Sequence, residues 1–146
     1  MLRMAKVQKG DVVYDLGAGD GRIVLLAAHD FDATAVGVEI DEELCAKAKD
    51  RIKVLKLQKR ARMLCADLLT IDLSDATVVT MYLSTMANTK VRPLLERFLR
   101  KGAKVVSYAF EIPGWRAVKT ETWRAEDPLS RLAPERARHV LYLYVR

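Results

Sequence analysis

Short, β-rich apolar runs alternate along this chain with stretches of helical period, and that alternation predicts strands and helices in turn. Asp11 to Leu16 reads as a first strand, launched from the turn Lys9-Gly10-Asp11. A glycine-bearing loop comes next. From about Gly21 a helix runs through Ile23, Leu25, Leu26, Ala27 and Ala28 towards His29, with an apolar side to set on a sheet. Thr34 to Ile40 is a second strand. Asp41 to Leu57 is a long helix, with Asp41 as N-cap and Glu42 and Glu43 in the turn where the helix dipole favours acids. Leu44, Ala48, Ile52 and Leu55 form its expected buried stripe.

Arg62 to Ala66 is a short third strand, and Thr77 to Leu83 is a fourth, apolar or β-branched almost throughout, as burial on both faces requires. Ser84 to Asn88 reads as a loop and helix start. Val91 to Arg100 continues as helix, with Val91, Leu94, Leu95 and Phe98 inward and Gly102 as its stop. Pro93 is tolerated near a first turn, which puts the helix start at about Arg92. Lys104 to Phe110 is strand five, and Pro113-Gly114 breaks the chain. Ala117 to Trp123 and His139 to Val145 read as an antiparallel pair, separated by a polar stretch with Pro128 and Pro134. The order implies an α/β fold: a Rossmann-like, doubly wound, mostly parallel seven-stranded sheet that ends in an antiparallel hairpin. With no internal repeat, low-complexity tract or linker, residues 1–146 are expected to form one domain.

Composition narrows the setting. A chain of 146 residues that is 51% hydrophobic can build a real core. No apolar run approaches the ~20 residues of a membrane span. Met1-Leu2-Arg3-Met4-Ala5 lacks the apolar core of a signal peptide. Cys45 and Cys65 stand apart, each inside a regular element, and are expected to be buried small hydrophobes rather than a disulfide or metal pair. No metal site is expected, and a reducing cytoplasm fits. The formal charge is +6, which favours acidic partners. Gln8, Gln58 and Asn88 are the chain's amides, and 30% of residues are charged, a thermophile-like bias.

The chemistry concentrates in the first loop. Asp15-Leu16-Gly17-Ala18-Gly19-Asp20-Gly21-Arg22 lies after a strand and opens a helix, and Glu39 closes the next strand. Strand, glycine turn, helix, strand and acid is the plan of a nucleoside-binding βαβ unit. A dinucleotide site wants its third glycine at position 22, where Arg22 stands. A carboxylate at Asp15 is a poor neighbour for a pyrophosphate and a good one for a sulfonium or an α-amino group. No Gly-Lys-Ser/Thr is present. These features point to S-adenosylmethionine (SAM), a cation with a ribose and no phosphate, with Glu39 placed to accept from both ribose hydroxyls.

Val13 to Arg22 and Val36 to Asp41 resemble motif I and the following acidic motif of class I SAM-dependent methyltransferases, and Ala66-Asp67-Leu68 resembles their motif after strand three. The resemblance implies that Asp67 accepts from the adenine amino group and that the Leu68 N–H meets the ring. It implies a cofactor set of Asp15, Leu16, Gly17, Ala18, Gly19, Gly21, Arg22, Glu39, Ile40, Asp67 and Leu68. Ala76 to Thr85, Val105 to Trp115 and Val140 to Val145 are similar to the small archaeal protein lysine methyltransferases of broad specificity, which share a SAM domain with mitochondrial lysine methyltransferases. That second resemblance implies N-methylation of accessible lysines on protein substrates. Members of the group carry a segment rich in Pro, Tyr and Val before strand one. Here ten residues precede Asp11: either the start is internal, or the sequence is trimmed, or the site is more open.

A lysine amine must lose its proton before it attacks, and an aromatic, water-poor pocket lowers its pKa. Tyr82 and Phe110 are the preferred candidates for that pocket, with Tyr108 and Trp115 beside them. The residues after strand four read Tyr82-Leu83-Ser84-Thr85 rather than an Asn/Asp-Pro-Pro-Tyr turn, and neither cysteine comes after a proline. Both departures disfavour the common routes to nucleobase methylation. Two rivals stay open. Lys47, Lys49, Arg51, Lys53, Lys56, Lys59, Arg60 and Arg62 make a basic helix face, a solvated surface by default and a nucleic-acid contact otherwise. RNA methylation is the first rival, and a non-catalytic SAM-binding module is the second.

Overall fold

The computed structural model describes residues 1–124 and 138–146. The polar stretch with Pro128 and Pro134 lies outside them. Among the described residues the elements are β1 (Val12–Leu16), α1 (Arg22–Asp30), β2 (Thr34–Glu39), α2 (Glu42–Val54), β3 (Ala61–Cys65), β4 (Val78–Met81), α3 (Thr85–Phe98), β5 (Lys104–Tyr108), β6 (Lys119–Arg124) and β7 (Arg138–Val145). They form one mixed sheet in the order β3-β2-β1-β4-β5-β7-β6. Strands β1 to β5 run parallel, and β7 pairs antiparallel with both β5 and β6. The Rossmann-like doubly wound plan and the closing hairpin are therefore both present.

The inner parallel strands β1, β2, β4 and β5 are buried on two faces, so consecutive residues feed different cores. Val13, Ala35, Val78 and Val106 pack with Leu2, Val24, Ala48 and Ile52 on one side. Tyr14, Val36, Val79 and Val105 pack with Val91, Leu95, Ile112 and Tyr144 on the other. This explains why the strands read as continuous apolar runs rather than alternating ones. Residues 1–7 join the first core, with Leu2, Met4, Ala5 and Val7 buried and the Lys104 ammonium donating to the Ala5 carbonyl at 2.7 Å.

Three expectations need correction. The buried stripe of α2 is Cys45, Ala48 and Ile52: Ala48 and Ile52 are as expected, Leu44 is half-buried beside Cys45, and Leu55 is exposed because it caps the helix rather than belonging to it. Helix α3 starts at Thr85 rather than near Arg92, capped by Ser84, whose Oγ accepts from the Ala87 N–H at 3.2 Å. Pro93 sits inside that helix and cannot donate to the Thr89 carbonyl. Thr89 and Pro93 are both exposed, so the freed carbonyl can turn to water.

The third correction concerns the cysteines. Cys45 and Cys65 form a disulfide with Cα atoms 5.7 Å apart. The reason is packing that sequence spacing does not display: the first turn of α2 crosses the end of β3, bringing together two residues 20 positions apart. The support that separate cysteines lent to a reducing compartment is withdrawn. Among the described residues no helix is long and apolar enough to cross a membrane, and no cluster of metal-binding side chains occurs.

Candidate functional site

In a parallel sheet every strand presents its carboxyl end at one edge, and this sheet gathers its chemistry there. Gly17 leaves β1, Glu39 ends β2, Asp67 comes after β3, Tyr82 after β4 and Phe110 after β5. A cavity of about 430 Å³ opens at that edge over the first strands, within the range of small-molecule sites. Its lining includes Gly17, Glu39, Ile40, Asp67 and Leu68 from the expected set. Leu83, Ala87, Lys90 and Val91 were not anticipated there. All but Leu83 belong to the part of α3 ahead of Pro93, where the sequence pattern points to loop or helix edge.

The glycine loop is tied to β2. The Gly17 and Ala18 N–H groups both donate to the Val38 carbonyl at 2.9 Å. Glu39 bridges the two sides: Oε2 accepts from the Gly19 N–H at 2.7 Å, and Oε1 accepts from the Ile40 and Asp41 N–H groups at 2.9 and 3.0 Å. Its carboxylate is thus held in one orientation at the cavity wall, with acceptor capacity left for a ligand. Asp67 caps the short 3₁₀ turn Leu68–Thr70 by accepting from the Leu69 N–H at 2.9 Å.

The expected site residues divide by role. A Cβ on Gly17 would come within 2.8 Å of Leu83, which closes over the loop from β4. A Cβ on Gly19 would meet no atom of the chain within 4 Å, so that space is open to a ligand. Gly21 is different: its Cβ would lie 2.8 Å from the Ala48 Cβ, and its φ is +77°. That glycine serves the packing of α1 against α2. Leu16 is fully buried and Ala18 nearly so, leaving their backbone to face the loop. The Arg22 side chain points outward, 3.5 Å from Asp20, and Arg51 of α2 takes the same carboxylate at 2.8 Å.

Asp15 is buried at the end of β1 and accepts from the Thr80 hydroxyl at 2.7 Å. Burial raises its pKa to about 6, Glu39's charge adds to the rise, and the Thr80 bond opposes it. Thr80, fully buried on β4, escaped the sequence reading because a threonine in a β-branched run carries no separate signal.

The acceptor-side candidates lie across β4 and β5. The Tyr82 and Phe110 side chains are exposed, at 62% and 41%. The Tyr82 ring meets Tyr108 edge-on with centroids 4.5 Å apart, and the Tyr108 hydroxyl is hydrogen-bonded to His139 Nδ1. Trp115 packs edge-on against Tyr144, back in the second core. All eight basic residues of the 47–62 face are exposed, with Arg51 and Arg60 paired to Asp20 and Asp32.

A mostly parallel sheet in this order, a strand–glycine loop–helix–acid unit at its carboxyl edge and a buried carboxylate behind the loop together define a class I SAM-dependent methyltransferase. SAM fits these residues: open space at Gly19, a cavity of adequate size, and a desolvated acid suited to a cation. Residues 15–119 match the ANTKMT methyltransferase domain, and the chain belongs to that family. A protein-lysine N-methyltransferase of Saccharolobus islandicus is 43% identical over 99% of this chain and 85% of its own length. The adenine nucleotide translocase lysine N-methyltransferase of Mus musculus is 30% identical over 81% of this chain, which spans about half, 51%, of that relative. Among solved structures, an RNA methyltransferase of Salinibacter ruber with bound S-adenosyl-L-homocysteine superposes with a TM-score of 0.85 at 37% identity, covering 99% of this chain and 86% of that one.

Proposed function

We propose that this protein transfers a methyl group from SAM to the ε-amino nitrogen of lysines on other proteins. The observation that carries the reading is the split edge of the sheet. A nucleoside-sized cavity with two acids lies over β1 to β3, and exposed aromatics lie over β4 and β5. Lysine N-methyltransferase activity of the Saccharolobus and mouse relatives supports the choice of acceptor.

When bound, SAM supplies an activated methyl group, whose bond to sulfur breaks as the nitrogen lone pair forms the new N–C bond and whose electron pair stays with sulfur. The chain's own part is to hold and align. Glu39 would accept from the ribose hydroxyls, Asp67 and the Leu68 N–H would receive the adenine, and the backbone from Leu16 to Gly19 would hold the methionine end. Asp15, buried behind the loop, would favour the cationic charge of the ligand. Tyr82 and Phe110, backed by Tyr108, strip water from the incoming amine, which favours its neutral, nucleophilic form. Their ring faces also accommodate the methylated cation that forms. A cytoplasmic, thermophile setting accommodates the disulfide, because intracellular proteins of hyperthermophiles are disulfide-rich.

RNA is the second reading, favoured by the likeness to the RNA methyltransferase of Salinibacter ruber and by the exposed basic face of residues 47–62. One experiment separates the two. The protein is incubated with methyl-labelled SAM and a cell extract, and the product is treated with protease or with RNase. Label lost to protease and kept through RNase is the expected result. The reverse pattern would replace lysine with RNA.

A further inference from the structure

The segment 109–115 carries Phe110 away from β5, and three side chains of α3 hold it. Asn88, Arg92 and Glu96 recur every four residues and so share one face of the helix. Asn88 Nδ2 donates to the carbonyls of Phe110 and Glu111 at 3.2 and 3.0 Å. Arg92 donates to the Pro113 carbonyl at 2.8 Å, and its Nε donates to Glu96 Oε1 at 2.8 Å. The same Glu96 oxygen accepts from the Trp115 indole N–H at 2.9 Å. The Trp115 bond first, and the Arg92 bond after it, hold the Glu96 carboxyl below its ordinary pKa. On the opposite side, the Ile112 N–H donates to the Tyr144 hydroxyl at 3.0 Å.

The orientation of Asn88 is dictated by its partners. Carbonyls only accept, so the amide nitrogen must face Phe110 and Glu111. That leaves Asn88 Oδ1 buried with no partner among the described residues. An unsatisfied buried acceptor is costly, and a leucine of similar shape would remove that cost. The amide is explained by what its nitrogen does to the segment.

We propose that Asn88, Arg92 and Glu96 are positioning residues for the methyl acceptor: they fix the segment 109–115, and through it Phe110, at the carboxyl end of β5 without touching the cofactor cavity. The proposal rests on the reading of Phe110 as part of the acceptor pocket. None of the three side chains lines that cavity. Loss of the ladder therefore raises KM for the protein acceptor and leaves SAM binding alone.

The test uses the Trp123→Phe protein, so that Trp115 is the single indole of the chain. Acrylamide quenching reports release of the segment, calorimetry reports SAM affinity, and methylation of serum albumin with labelled SAM reports KM and kcat. Glu96→Ala should increase Trp115 quenching and raise the albumin KM about fivefold, the equivalent of ~1 kcal/mol. SAM affinity should not change, and Glu96→Gln, which keeps the acceptor oxygen, should restore both readouts. Asn88→Leu should act in the same direction more strongly; Glu96, being partly exposed, provides the decision if the leucine variant does not fold. Unchanged quenching in Glu96→Ala overturns the ladder. Increased quenching with an unchanged KM, or a loss of SAM affinity in step with KM, overturns the positioning role. If Phe110→Ala instead leaves KM unaltered, or the parent protein does not label albumin, the acceptor reading itself fails while the quenching result still decides what the ladder holds.

Discussion

Asp15 has a desolvated carboxyl group, one hydroxyl donor and a second acid, Glu39, as its electrostatic surroundings. Its folded pKa of about 6 stands above its unfolded value of 3.8. Between those values the folded chain binds more protons than the unfolded one, so stability falls as pH rises through that window. The deficit is complete above pH 6 and amounts to roughly 2–3 kcal/mol. A bound cation works in the opposite direction, since it favours the ionised acid and expels the proton. SAM affinity in the parent protein should therefore weaken as pH drops below about 6. Asp15→Asn keeps the oxygen that Thr80 donates to. It should melt at a higher temperature than the parent at pH 7, bind SAM about tenfold more weakly there, and lose the pH slope between 5 and 7. Calorimetry and thermal scans over that range check all three, and a variant that binds as tightly as the parent would remove Asp15 from the site.

Helices α1 and α2 meet through the third glycine of the loop. At Gly21 a side chain would need φ of +77° and would press on Ala48. The strained φ costs about 1–2 kcal/mol and the overpacking about 1–3. Gly21→Ala should accordingly lower stability by roughly 2–5 kcal/mol in denaturant unfolding. Adding Ala48→Gly should recover the steric share, visible as a favourable coupling in the double-mutant cycle. The first βαβ unit was legible because two periods and three glycines all lie within one local stretch. The start of α3 was not, because Pro93 is a strong local signal while the exposure of Thr89 and Pro93 that makes it tolerable is a tertiary fact. That one displacement concealed Ala87, Asn88 and Lys90, and with them one wall of the cavity and the first rung of the ladder. Gly21 shows the opposite limit: a motif position can be recognised correctly while its work lies in packing.

Across the whole molecule, the carboxyl edge carries the cavity we propose for the nucleoside over β1 to β3 and the aromatics we propose for the acceptor over β4 and β5. The doubly wound, mostly parallel plan was readable because alternating strands and helices leave few alternatives, while the strand order is known from the structure. The Cys45–Cys65 bridge was not, since it depends on how α2 lies across β3. The bridge closes a loop of about 20 residues, worth ~3 kcal/mol on a chain-entropy account. Reduction with a phosphine should lower the melting temperature by ~10 °C, read by differential scanning calorimetry.

The bridge also sets the two halves apart in the way each gives under heat. Cys65 pairs in register with Glu39 and stands two residues before Asp67, so the two acids that flank the cavity are anchored beside a covalent link. Phe110 is kept in place without such a link: its carbonyl accepts from Asn88 and Ser107, and its segment is anchored by buried Ile112. Warming should loosen the grip on the acceptor first. The acceptor KM should climb at temperatures where SAM affinity is still flat, and reduction of the bridge should erase that order, so that both sites slacken together.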